Sequence, residues 1–276
     1  MEEKNAIKTK SLKVGYDGFV IVPDFNIEIK SHKITSIIGA NGCGKSTILK
    51  AIGRIIPSMD GNIILNDKNL KELSNKEIAK QMAILPQSPT ASPSISCKEL
   101  VSYGRYPYQK GFGRLNEEDK KVIDWALKVT NMEEFKDRPI GSLSGGQRQR
   151  VWIAMCLAQQ TGIILLDEPT TYLDLCHQLE VLKLLKYLNE KEKTTIVMVL
   201  HDLNLASKYS DYLLSMKEGK IFKFGTVEEV MTPEMLKECF NIDGDIIKDP
   251  RTNKPICVSY DLVSSTYKVE GKENEK

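Results

Sequence analysis

The chain has 276 residues, 41% of them hydrophobic, which is enough to bury a full core either as one large domain or as a core carrying a lobe. Its 39 basic and 37 acidic side chains leave a net charge of +2, a balance that argues against a nucleic-acid surface. Six cysteines stand singly at 43, 97, 156, 176, 239 and 257 with no C-x-x-C, against disulfides and zinc, and Met1-Glu2-Glu3-Lys4-Asn5 carries no apolar signal region, so the chain reads as cytosolic.

Residues 7–30 alternate apolar and polar side chains around a turn at Asp17-Gly18, as antiparallel strands of a small β-subdomain would. Lys33–Ile38 reads as a strand leading into Gly39-Ala40-Asn41-Gly42-Cys43-Gly44-Lys45-Ser46, and Ser46–Ile52 reads as the helix leaving it. That is G-x-x-x-x-G-K-[ST] in the strand-to-helix setting the pattern requires, a phosphate cradle. Its glycines let successive backbone N–H groups turn onto a β-phosphate, Lys45 reaches the β- and γ-phosphates, and Ser46 offers a hydroxyl to Mg2+. Gly61–Asp67 reads as a further short strand and turn, and Met82–Leu85 as a strand followed by Pro86 and Gln87. Pro89 and Pro93 mark a loop, after which Cys97–Val101 and Glu117–Thr130 look helical.

Leu143-Ser144-Gly145-Gly146-Gln147-Arg148-Gln149-Arg150 then precedes the nearly all-apolar Val151–Ala158. A helix apolar on every side is a buried one, and Ser-Gly-Gly at its start makes a second helix N-terminus open to an anion. In Gly162–Pro169, four consecutive branched aliphatics suit a strand buried on both faces of a parallel sheet, which delivers ligands at its C-terminal end. There Asp167 would hold Mg2+, and Glu168, pointing elsewhere, would polarise an attacking water. Residues 178–188 set Leu179, Leu182, Leu185 and Leu188 along an amphipathic helix that should cover the sheet, and Ile196–Leu200 is an apolar strand ending at His201-Asp202. From Gly219 onward we expect a short hairpin, a helix over Thr232–Phe240, strand-like Ile256-Cys257-Val258, and a charged, disordered tail at 263–276.

Cradle, Ser-Gly-Gly helix and acidic strand end, in this order, resemble the ATP-binding cassette (ABC) proteins from about Ile7 to about Leu262. The resemblance implies an α/β P-loop NTPase fold with a RecA-like parallel-sheet core, an antiparallel β-subdomain and a helical lobe at about 88–143. It also implies a head-to-tail homodimer, with ATP held between the cradle of one subunit and the Ser-Gly-Gly signature of the other. The cofactors would be ATP and Mg2+. Gly39, Asn41, Gly42, Cys43, Gly44, Lys45, Ser46 and Thr47 would cradle the phosphates while Tyr16 stacks on adenine. Ser46, Gln87 and Asp167 would hold Mg2+; Glu168 would act on water with Gln87, His201 and Lys45; and Ser144, Gly145, Gly146, Gln147 and Asp174 would meet the partner's nucleotide. Tyr16 could instead be an ordinary hairpin tyrosine, and Asp174 an N-cap; His32 and His177 read as surface residues without a role.

Gly104–Tyr108, Gln147–Met155, Thr170–Asp174 with His177-Gln178, and Leu200–Asn204 resemble the iron-siderophore and vitamin B12 importer branch, the siderophore side more closely. No apolar run approaches the ~20 residues that cross a bilayer, so the resemblance implies a separate membrane permease, with this chain peripheral on the cytoplasmic face of the membrane. Ser88–Arg105 is expected to form much of the docking surface, and an extracytoplasmic substrate-binding protein would select the cargo. The expected function is ATP hydrolysis powering uptake of a ferric siderophore. The alternatives are a vitamin B12 or haem importer ATPase, or a soluble non-transport ATPase, which the absence of a coiled-coil insertion between Gln87 and Ser144 disfavours.

Overall fold

The computed structural model describes residues 4–109 and 114–263; from residue 264 the charged tail lies outside them. The chain opens with β1 (Asn5–Tyr16) and β2 (Phe19–Lys30), paired antiparallel from Tyr16↔Phe19 to Asn5↔Lys30. Asp17 (φ 49°) and Gly18 (φ 85°) form the two-residue turn, whose positive φ values match the twist of the flanking strands. There follow β3 (Ile34–Gly39), α1 (Lys45–Ile52), β4 (Asp60–Leu65), β5 (Lys68–Asn69), α2 (Asn75–Ala79) and β6 (Met82–Leu85). The first sheet runs β2-β1-β4-β5 and is antiparallel throughout.

Three helices come next: α3 (Cys97–Ser102), α4 (Glu117–Val129) and α5 (Gly145–Ala158). The α/β alternation then resumes with β7 (Ile163–Asp167), α6 (Leu175–Glu192), β8 (Thr195–Val199), α7 (Leu203–Tyr209) and β9 (Tyr212–Lys217). The chain closes with β10 (Lys220–Thr226), α8 (Val227–Val230), α9 (Pro233–Phe240), β11 (Ile242–Lys248) and β12 (Pro255–Leu262). The central sheet has the order β10-β9-β3-β8-β7-β6, parallel except for β10 at its edge.

Side-chain alternation along these strands explains why the core has two halves. Ile163 and Leu165 of β7, with Val197 and Val199 of β8, face α1 and the β1–β2 hairpin. Ile164, Leu166, Ile196 and Met198 face the helices of the opposite layer. Every residue of β3, β7 and β8 is buried, so these strands are covered on both faces. α6 is longer than the sequence suggested, and its buried Val181, Leu182, Leu185 and Leu188 cover the sheet.

In the helical part, α5 packs on both α3 and α4, and its residues from Val151 to Ala158 are nearly all buried, in keeping with a helix apolar all round. Arg105, 4% exposed, ties this part together: its Nε donates to Asp119 at 2.8 Å and its Nη1 to Ala158 O and Gln160 Oε1, each at 2.8 Å. The Tyr108 ring lies 4.1 Å from its guanidinium carbon. A second tie is a set of backbone bonds: Gly141 N to Pro93 O, Ile140 N to Ile95 O, Cys97 N to Arg138 O and Lys98 N to Lys136 O. They bind the loop after Gln87 to the segment just before Ser144.

Candidate nucleotide site

Gly39 ends β3 where the chain must turn against its neighbour. A Cβ at Gly39 would stand 2.4 Å from Met216 O and 2.7 Å from Cys43 Sγ, and its φ is 152°, so only glycine fits. From there residues 40–44 curl back to start α1, with Asn41 and Gly42 exposed and Cys43 and Gly44 buried. Lys45 is 5% exposed, and its Nζ donates to Gly39 O at 2.8 Å and Ala40 O at 2.9 Å, inside the cradle's own curve. Thr47 is buried one residue beyond Ser46. Gly44 faces Val22 and Ile21 of β2, which sets the hairpin bearing Tyr16 beside the cradle. Tyr16 itself is 39% exposed at the hairpin end, next to the more exposed Phe19.

At the end of β7 two adjacent carboxylates part company. Asp167 is buried; its Oδ1 accepts the Ser46 hydroxyl at 2.7 Å, and burial pushes its carboxyl pKa up. Its Oδ2 is also buried and has no hydrogen-bond partner among the described residues. Such an orphaned anionic oxygen beside a serine hydroxyl suits a hard cation with oxygen ligands, and Mg2+ fits it. Glu168 has φ 54°, a left-handed backbone uncommon for a non-glycine residue, so the chain turns there and the side chain leaves in a different direction.

Three side chains meet the Glu168 carboxylate. Gln87 Nε2 donates to Oε2 at 2.6 Å, the Thr171 hydroxyl donates to the same oxygen at 3.0 Å, and His201 Nε2 lies 2.6 Å from Oε1. Gln87 follows β6, Glu168 follows β7 and His201 follows β8, so three neighbouring parallel strands deliver them at one edge. Sequence reasoning found Gln87, Glu168 and His201 and missed Thr171, although its place three residues after Glu168 in one tight turn was a usable signal.

The signature residues form a second cluster. Ser144 caps α5, its hydroxyl accepting from Gln147 N at 3.3 Å while Gln147 Oε1 accepts from Ser144 N at 3.0 Å. Gly146 lies against His177, where a Cβ would come 2.5 Å from the ring Cδ2. Asp174 caps α6 and its Oδ1 lies 2.8 Å from His177 Nδ1; the backbone and ring of His177 hold its carboxyl below the usual range. His177, expected to be a surface residue without a role, thus touches Asp174 with its ring nitrogen and lies beside Gly146 with its ring carbons. Residues 168–174 connect the two clusters, turning through Thr171 N to Glu168 O at 3.2 Å and Leu173 N to Thr170 O at 3.3 Å.

The sequence profile of the ABC transporter family matches residues 22–171. The chain belongs to the ABC transporter family. Among its relatives, the iron(3+)-hydroxamate import ATP-binding protein FhuC of Bacillus subtilis (strain 168) is 57% identical over 261 residues, 95% of this chain and 97% of that protein. The ferric enterobactin transport ATP-binding protein FepC of Escherichia coli (strain K12) is 39% identical over 252 residues, 91% of this chain and 93% of that one. Among solved structures, a metal-chelate type ABC transporter in an inward-facing conformation superposes with a TM-score of 0.79 at 27% identity, covering 93% of this chain and 98% of that one. A dimeric ATP-binding cassette bound to ADP and phosphate in a post-hydrolysis state gives 0.69 at 29% identity, covering 80% and 98%. The α/β P-loop cassette read from the sequence is therefore the fold found, and this member of the ABC family is an ATP-binding, transport-coupled ATPase.

Proposed function

We propose that this chain is the ATP-hydrolysing subunit of an importer for ferric siderophores of the iron(3+)-hydroxamate class. The observation that carries the cargo class is the identity of 57% along nearly the whole length of a hydroxamate import ATP-binding protein. The cargo never touches this subunit, so the chemistry argued from its own residues is that of ATP.

Lys45 would exchange the Gly39 and Ala40 carbonyls for β- and γ-phosphate oxygens, the cradle N–H groups would surround the β-phosphate, and Tyr16 would cover the adenine. Ser46, Asp167 and Gln87 would hold Mg2+, which when bound neutralises charge on the phosphates. Glu168 would take the proton of the attacking water, and His201 would hold the γ-phosphate beside it. Ser144, Gly145, Gly146 and Gln147, at the N-terminus of α5, and Asp174 would meet the nucleotide of a second copy packed head to tail.

Among the described residues no helix is long and apolar enough to cross a membrane, and on this reading the force is delivered to a separate permease. Ser88–Arg105, in the helical lobe at 88–143, would receive it: this stretch directly follows Gln87, exposes Tyr103, and is bonded to the segment of chain before the signature. The chain would then sit on the cytoplasmic face of the membrane, with an extracytoplasmic binding protein presenting cargo and with no nucleic acid in the cycle. A tagged pull-down from detergent-solubilised membranes tests the assembly, and uptake of labelled ferric hydroxamate by cells lacking the gene, with and without its return, tests the cargo. Co-purification of a many-spanning permease and restored hydroxamate uptake are expected. Recovery only of soluble partners, or restored uptake of vitamin B12 or haem alone, would overturn the reading.

A further inference from the structure

Glu168 is gripped by the residue three positions later. Thr171 bonds it twice, through its hydroxyl to Oε2 at 3.0 Å and through its backbone N–H to the Glu168 carbonyl at 3.2 Å. An ionised carboxylate has about four acceptor positions, two on each oxygen. Gln87 and Thr171 fill both on Oε2, and His201 takes one on Oε1. The position left is on Oε1, beside His201.

We infer that Thr171 is a positioning residue for hydrolysis: by filling Oε2 together with Gln87, it turns the remaining lone pair of Glu168 Oε1 toward the attacking water. The proposal rests on Glu168 as the base. Thr171 opens the segment that runs through Tyr172 to Asp174, and Tyr172 is 90% exposed with φ 64°.

The test uses the full-length chain and two substitutions, Thr171→Val, which keeps the shape and removes the donor, and Thr171→Ser, which keeps the donor. T171V is expected to lower kcat about tenfold or more with KM for ATP unchanged, the cost of losing one bond that orients the base. T171S should stay within about twofold of the parent, and T171A repeats the experiment should valine disturb folding. In an E168Q background the same change should have no further effect on residual hydrolysis, because Thr171 acts only through that carboxylate. ATP-dependent dimerisation, read by light scattering on E168Q and on T171V/E168Q, should be equal. A T171V kcat within about twofold of the parent, or an equal loss persisting in E168Q, would overturn the proposal and leave the base assignment intact. Parental turnover in E168Q itself would instead remove Glu168 as the base, and Thr171's role with it.

Discussion

Ser46 and Asp167, 121 residues apart in the chain, are joined by a 2.7 Å hydrogen bond that fastens the first turn of α1 to the end of β7. Both oxygens of the buried Asp167 then depend on very few partners, since Oδ2 has none among the described residues. Ser46→Ala should therefore destabilise the nucleotide-free chain by about 1–3 kcal/mol, the cost of a buried acceptor left unpaired. It should also weaken the Mg2+ dependence of ATP binding. Thermal unfolding and a magnesium titration of nucleotide affinity check the two effects separately.

Glu168→Gln should bind Mg-ATP and dimerise while hydrolysing at least ~100-fold more slowly, as expected on removal of a general base. The amide oxygen can still accept from Gln87 and Thr171 in place of Oε2, with the NH2 turned to His201 Nε2, so the variant removes the base while keeping the site's shape. Single-turnover kinetics with labelled ATP, beside equilibrium binding, separates loss of chemistry from loss of affinity.

Arg105 and Asp119 are each buried, and the guanidinium also serves Ala158 O and Gln160. Arg105→Ala should cost about 3–5 kcal/mol by leaving the Asp119 carboxylate buried without its counter-charge. Replacing Arg105 and Asp119 together by apolar residues of similar volume should recover much of that loss. Denaturant unfolding of the single and paired variants gives the comparison.

Cys43 sits inside the cradle at 5% exposure, and burial pushes its thiol above the ordinary 9.0, an effect that neighbouring Lys45 partly opposes. A raised thiol pKa means less thiolate at every pH below it, so alkylation at pH 7 should be slower than at the exposed Cys176 and should rise about tenfold per pH unit. Once formed, the adduct should block ATP binding by bulk, while Cys43→Ser keeps it. Mass spectrometry of time-resolved labelling, with nucleotide binding of each fraction, measures both.

Much of the fold was legible because long periodic segments decide their own structure. The alternation in residues 7–30, the cradle with its flanking strand and helix, and the capped α4 all stand where periodicity put them. What was missed is short or held from outside. α7 has seven residues, too few to show a helical period, and β11, Ile242-Asp243-Gly244-Asp245, carries poor strand formers. β11 and β12 are fixed by the Asn204 side chain, which donates to Cys257 O at 2.9 Å and accepts from Cys257 N at 2.8 Å, a contact across 53 residues. In the candidate site, the residue types and spacing named the carboxylates and the lysine, and the family resemblance named Gln87 and His201. That Gln87 would reach Glu168 across 81 residues, or that His177 would lie between Asp174 and Gly146, depends on how strands and loops meet in space.

The bonds from Pro93, Ile95, Cys97 and Lys98 to residues 136–141 stitch the chain after Gln87 to the segment before the signature. A segment stitched along its length cannot bend without breaking several bonds at once. A push on either side of it reaches the first turn of α5 as displacement, with little taken up as slack. What a permease and a partner's nucleotide would share across this subunit, on the proposed reading, is stiffness, and new cargo could then be accommodated in the pore while this lever stays the same.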